Sequence, residues 1–256
     1  KLDPSNGLAG HLDDAADGND VVFAGTATID TSAGTVTDVN GTVAVDTELE
    51  QGGPVDVFVV KVKSLTATDI NVVGTAALAI VSDGDVTIDW VLDVSGHLDV
   101  PGAGASVADN TCLGKDGEVV EGAASGGGGG GFGTVGGEGG HTRFGSTNGG
   151  DGGAQAGSPE LAPLRGGCSG GYGSGIGPLA DPDLSDAGAG GGAAQIVSGT
   201  AVVFSANGGV AANGGAAKGY TGSAFIQCQT VFPPVPCFAS NGGGSGGALL
   251  VEAPEI

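Results

Sequence analysis

Residues 76–96, AALAIVSDGDVTIDWVLDVSG, decide how the rest of the chain is read. From Val86 onward apolar side chains take alternate places (Val86, Ile88, Trp90, Leu92, Val94), while Thr87, Asp89, Asp93 and Ser95 lie between them and only Val91 breaks the rule. Successive strand residues point to opposite faces, so this alternation is that of a half-buried strand. The phrase returns at residues 193–207, AAQIVSGTAVVFSAN, where Ile196-Val197-Ser198 repeat Ile80-Val81-Ser82, and Val202 and Phe204 repeat Val86 and Ile88. A shortened copy, GGALLVEA, occupies residues 246–253. One strand phrase written three times points to strands stacked in successive turns. The fold expected is therefore all-β, a parallel β-solenoid (β-helix) carrying a long glycine-rich insertion.

Composition agrees with a thin core. Fifty-six glycines and 4% aromatic residues in 256 leave few large side chains for an ordinary globular interior, and glycine loses the most backbone entropy on folding. A solenoid needs less core per residue, because Val, Ile, Leu and Ala stack along its axis. Seven basic against 29 acidic residues give a net charge of −22, a surface that repels nucleic acid and anionic lipid. No apolar run reaches the roughly 18 residues of a membrane span. With no methionine and with Lys at position 1, the chain reads as a mature secreted protein without its signal peptide, or as an excised segment.

Four cysteines, Cys112, Cys168, Cys228 and Cys237, form no CxxC pair. They suit two disulfides in an oxidising compartment. Cys228 and Cys237 flank TVFPPVP, so the connectivity expected, among three, closes that loop and pairs Cys112 with Cys168.

Along the chain, residues 1–20 are acidic and turn-rich, with Leu2, Leu8 and Leu12 as their large apolar groups, and read as an irregular N-terminal arm or cap. Residues 21–256 read as one solenoid domain with the glycine-rich insertion at 125–192. Short strands separated by Ala-Gly and Asn-Gly corners precede PVDVFVVKV, where the change of parity between Val59 and Val60 predicts a bulge or corner near Val59. Within the insertion glycine recurs at Gly127, Gly130, Gly133, Gly136 and Gly139, the period of a polyproline-II helix. Two readings stay open, an extended polyproline-II-like flap lying on the solenoid and a disordered linker. Phe132, Phe144, Leu161, Leu164, Tyr172, Ile176 and Leu179 favour docking.

No catalytic site emerges. Asp83, Asp85, Asp89 and Asp93, with Asp99 beyond them, are candidate calcium ligands, but residues four apart on a strand lie about 13 Å from each other, so another coil must complete any site. A solvated acidic face explains them equally well. Calcium is the one cofactor for which the sequence offers ligands. Gly167-Cys168-Ser169-Gly170-Gly171 has the glycines but not the acid of a serine-protease nucleophile turn, and His11, His97 and His141 sit in loop-like sequence without a partner motif. The triplets Thr26/Thr28, Thr35/Thr37 and Thr66/Thr68 are read as strand residues, and Asn40-Gly41-Thr42 is one glycosylation sequon. Leu249, Leu250 and Val251 form an apolar last strand, an edge for assembly.

The phrases FAGTATIDTSAGTVT, ALAIVSDGDVTIDWVLDVSG, GGGGGGFGTVGGEGG, GGGAAQIVSG and GGGSGGALLVEAP, in that order, resemble glycine-rich secreted surface proteins of myxobacteria-like bacteria. The resemblance covers most of residues 20–253. It implies an extracellular β-helix-like domain with adhesive or structural roles and brings no catalytic residue. The function expected is a structural subunit, secreted or at the cell surface, that self-associates into a fibre or surface layer through its solenoid ends. A carbohydrate- or calcium-dependent adhesin and a polysaccharide-degrading β-helix are the alternatives.

Overall fold

The computed structural model describes residues 2–51, 53–105, 111–120, 123–141, 148–174, 186–217 and 239–256. A short helix, α1 (Ala9–Asp14), runs through a 3-10 turn (Ala15–Asp17) into strands β1 (Asp20–Val22), β2 (Thr26–Asp30), β3 (Thr35–Asp38), β4 (Gly41–Thr42) and β5 (Asp46–Glu50). Two three-strand circuits follow: β6 (Val57–Val62), β7 (Ser64–Ala67) and β8 (Asp69–Val73), then β9 (Ala77–Ser82), β10 (Val86–Ile88) and β11 (Val91–Asp93). The hairpin of β12 (Val119–Val120) and β13 (Ala123–Ala124) lies in the glycine-rich section. After it come β14 (Ala193–Ser198), β15 (Val202–Phe204), β16 (Gly209–Ala211) and β17 (Ala248–Glu252).

The repeated phrase sits in a single sheet of order β17-β14-β9-β6-β5. β9 and β14 pair in parallel with Ile80 beside Ile196 and Ser82 beside Ser198, and β14 pairs in parallel with β17, Ile196 beside Val251. The second halves of the phrase also align, Val86 beside Val202 and Ile88 beside Phe204. Repeats of equal composition therefore stack like on like. Phe58, Val60, Leu78, Ile80, Ala194 and Ile196 fill a common interior with Leu65, Ile70, Val86, Ile88 and Leu92 from the other two sheets. Each large aliphatic side chain buried this way contributes about 1.5–3 kcal/mol.

The whole is nonetheless a mixed α/β arrangement and not the plain all-β parallel solenoid expected from sequence. Parallel and antiparallel pairing coexist: β2-β3-β4 form an antiparallel meander and β5 pairs antiparallel with β6. Its turns explain the meander. Gly34 takes φ +68° and Gly41 φ +117°, left-handed conformations that let the chain double back where a side chain would be strained. Asp38 stabilises the second turn by accepting hydrogen bonds from the amides of Ala24 (3.0 Å) and Asn40 (2.7 Å), which hold its carboxyl below the usual range.

Residues 1–20 are likewise more ordered than an irregular arm. Leu8, Leu12 and Ala15 bury themselves on Val59, Ala79, Val81 and Val197, the outward-facing residues of the repeated sheet. Neither the bulge nor the corner expected near Val59 is present, since β6 pairs without interruption from Val57 to Val62 with β9. Its parity change arises because both faces of β6 are buried, one by the interior and one by the helix. The strand read across 86–94 is also broken, by a corner at Asp89-Trp90 that leaves Trp90 50% exposed.

The described glycine-rich residues are joined by backbone hydrogen bonds that repeat every three residues. Gly126 and Gly129 donate to Gly140 and Gly137, Gly127 and Gly130 to Ser240 and Gly243, and Gly128 and Gly131 to Lys115 and Cys112. One extended segment thus addresses three neighbours in rotation, the screw of a three-residue-per-turn helix. The section is wider than a 125–192 flap, because it takes in 111–117 before and 240–247 after. The phase breaks at residues 132–135 and resumes at Gly136 and Gly139, whose amides bond Gly153 and Gly150. Phe132 and Leu164 dock this section on Ala77, Ala193 and Ala248, with Leu161 beside them, whereas Tyr172 is 53% exposed. Phe144, Ile176 and Leu179 lie outside the described residues.

Candidate functional site

β5 carries its acidic residues at alternate positions, so Asp46, Glu48 and Glu50 share one face. Antiparallel pairing places Asp46 opposite Lys61 of β6. The Lys61 ammonium lies 3.1 Å from Asp46 and 3.2 Å from Glu48. Burial by itself pushes this ammonium down, and the hydrogen bonds and charges of Asp46 and Glu48 outweigh it, so its pKa stands above the ordinary lysine value. α1 brings His11 to the other end of the row. Its Nε2 is 2.8 Å from Glu50 Oε1 and its Nδ1 is 3.6 Å from Glu48 Oε2, with 12% of the side chain exposed. Beside His11 and Glu50 opens a cleft of about 300 Å³ reaching Asn6, Val55 and Pro163.

Sequence reasoning missed this group. Glu48 and Glu50 carry the i, i+2 signal of one strand face, but nothing local ties them to a histidine in a segment read as an arm. His11 stands on a helix, and its partner is supplied by tertiary packing alone. Among the described residues, His97 and His141 face carboxylates of their own segments, Asp93 at 3.9 Å and Glu138 at 3.2 Å.

The aspartates considered for calcium are distributed along two corners and a strand end. Asp85 accepts a hydrogen bond from the Thr200 hydroxyl, Asp89 from the Ser205 hydroxyl at 2.5 Å, and Asp93 from the Ser95 amide at 2.8 Å. The first two tie one circuit to the next. Among the described residues, none of Asp83, Asp85, Asp89 and Asp93 belongs to a group of three or more metal-ligating side chains, whereas His11, Glu48 and Glu50 do.

Cys112 and Cys168 form a disulfide with Cα atoms 5.8 Å apart. Cys228 and Cys237 lie outside the described residues. Asn40 stands exposed at the β3–β4 turn, and Thr28 and Thr37 face each other across β2 and β3.

Leu249, Leu250 and Val251 occupy β17, the outermost strand of its sheet on that side. Register places Leu249 next to Ala194 in the inward-facing column that also holds Leu78 and Phe58. Those three are buried, yet Leu249 is 37% exposed, because no described strand lies beyond it. The Ala248 amide donates to the Gly192 carbonyl. By alternation along the strand, the amides of Leu249 and Val251 face the open edge.

No helix among the described residues is long and apolar enough to cross a membrane. Compared with family models, curated proteins and solved structures, the chain matches none of them.

Proposed function

We propose that this protein is a structural subunit of an extracellular fibre or surface layer, joined to its neighbours at the β17 edge. The observation that carries the reading is Leu249, a residue facing the interior column but left uncovered at the end of the stack. An added strand would bury it and take up the outward amides of Leu249 and Val251. The opposite edge is less receptive, since β5 presents Asp46, Glu48 and Glu50 along a strand running antiparallel to its neighbour, and charged edges resist pairing. The β17 edge is thus proposed as the primary contact, and because one self-pairing edge closes a dimer, growth into a fibre or layer also takes a second, heterologous contact on each subunit. The Cys112–Cys168 disulfide and the acidic surface support a place outside the cell, and the hydrogen-bonded glycine section supplies rigidity with few large side chains. The resemblance to glycine-rich surface proteins of myxobacteria-like bacteria points the same way.

Light scattering and negative-stain microscopy of the purified chain test this. Concentration-dependent oligomers or filaments are expected, and Leu249→Lys, which puts a charge at the open end, returns them to monomers. Monodisperse wild-type monomers at high concentration, or assemblies indifferent to Leu249→Lys, would count against the proposal.

A further inference from the structure

The edge of the β5–β6 pair holds a second feature, independent of assembly. We propose that His11, Glu48 and Glu50 form a binding site for a divalent transition-metal ion of the zinc class. One nitrogen of His11 and one oxygen from each glutamate lie within 4.8 Å of one another, so modest side-chain movement brings all three to a common ion. Three protein ligands with a fourth position left for water or an outside ligand is the pattern of an open zinc site, and the cleft beside His11 and Glu50 supplies the room. The imidazole selects the class of ion. Calcium and magnesium take oxygen ligands, whereas nitrogen with two carboxylates suits zinc, cobalt or nickel.

Two further observations point to an ion. His11 Nδ1 is buried without a hydrogen-bond partner, although the ring is pinned through Nε2 on Glu50. Charge is also unbalanced. Asp46, Glu48 and Glu50 face a single ammonium, Lys61, so with a neutral imidazole the group keeps two negative charges, the amount a dication neutralises. Lys61 shares Glu48 and holds it in place, while Glu50 is held by the His11 ring.

Isothermal titration of zinc into the full chain, freed of any affinity tag and of metal by a chelator, reads the site directly. One ion per chain is expected, with affinity reduced by about tenfold or more in His11→Gln and in Glu50→Gln. His97→Gln and His141→Gln should bind as the wild type does, and calcium should not compete. Cobalt substitution adds a second readout, a visible absorption band lost in the same two variants. Circular dichroism establishes whether each variant is folded; if His11→Gln is not, Glu50→Gln decides, because its carboxamide can still accept from His11 while ligating metal poorly. No uptake by the wild-type chain, or uptake unchanged in Glu50→Gln, overturns the proposal.

Discussion

At the scale of single residues, the glycines differ sharply in what surrounds them. A Cβ built on Gly128 would collide with the carbonyl of Asp151, and one on Gly130 with that of Cys168, because neighbouring backbones approach where a side chain would stand. At Gly133 and Gly140 the same atom meets nothing within 4 Å. Gly128→Ala is therefore expected to destabilise by about 1–3 kcal/mol or more as the backbones are forced apart, while Gly133→Ala is near neutral. Paired thermal unfolding curves check this, and equal losses at the two positions would show that the close approach does not matter. The period of three in the sequence marked Gly127, Gly130, Gly136 and Gly139, all of them crowded, but neither Gly128, crowded outside that phase, nor the turn at residues 132–135 that frees Gly133.

Among elements, α1 is where local sequence says least. Its six residues include a glycine, its start at Leu8 has no side-chain cap, and a helix this short does not persist alone. It forms because Leu8 and Leu12 cover Val59, Ala79, Val81 and Val197, which would otherwise lie open to water. Leu12→Ala should cost about 2–4 kcal/mol in denaturant unfolding, the range of a buried leucine truncation. Hydrogen exchange should also rise in α1 before it rises in β9. A loss below about 0.5 kcal/mol would mean that the helix merely rests on the sheet. A polar latch backs this packing. Asn6 donates to Gln195 at 2.8 Å, Gln195 donates to Glu252 at 2.6 Å, and the Ser5 hydroxyl donates to Glu252 at 2.7 Å, joining the N-terminal segment to β14 and β17.

Over the whole molecule, segments far apart in sequence converge on the glycine-rich section. The Cys112–Cys168 bond closes a separation of 56 residues within it. Chain-entropy reasoning assigns a loop of that length about 4 kcal/mol. Cys112→Ser with Cys168→Ser should lower stability by an amount of that order, measured under non-reducing conditions. The repeated sheet should lose protection later than the glycine section, since its own interior remains filled. Simultaneous loss in both would show that the two parts unfold as one.

Sequence alone determined the repeated strands and their register, because composition matching at Ile80, Ile196 and Val251 reflects the pairing of equals in a stack. It also determined the acidic surface and one of the phases in which glycines are crowded. Tertiary structure decided the rest. The reversal of β3 and β5, the burial of both faces of β6, the helix at α1 and the meeting of His11 with Glu48 and Glu50 all depend on contacts between segments whose local patterns do not refer to one another. Periodicity records which side of a strand is dry, and only packing says what lies against it.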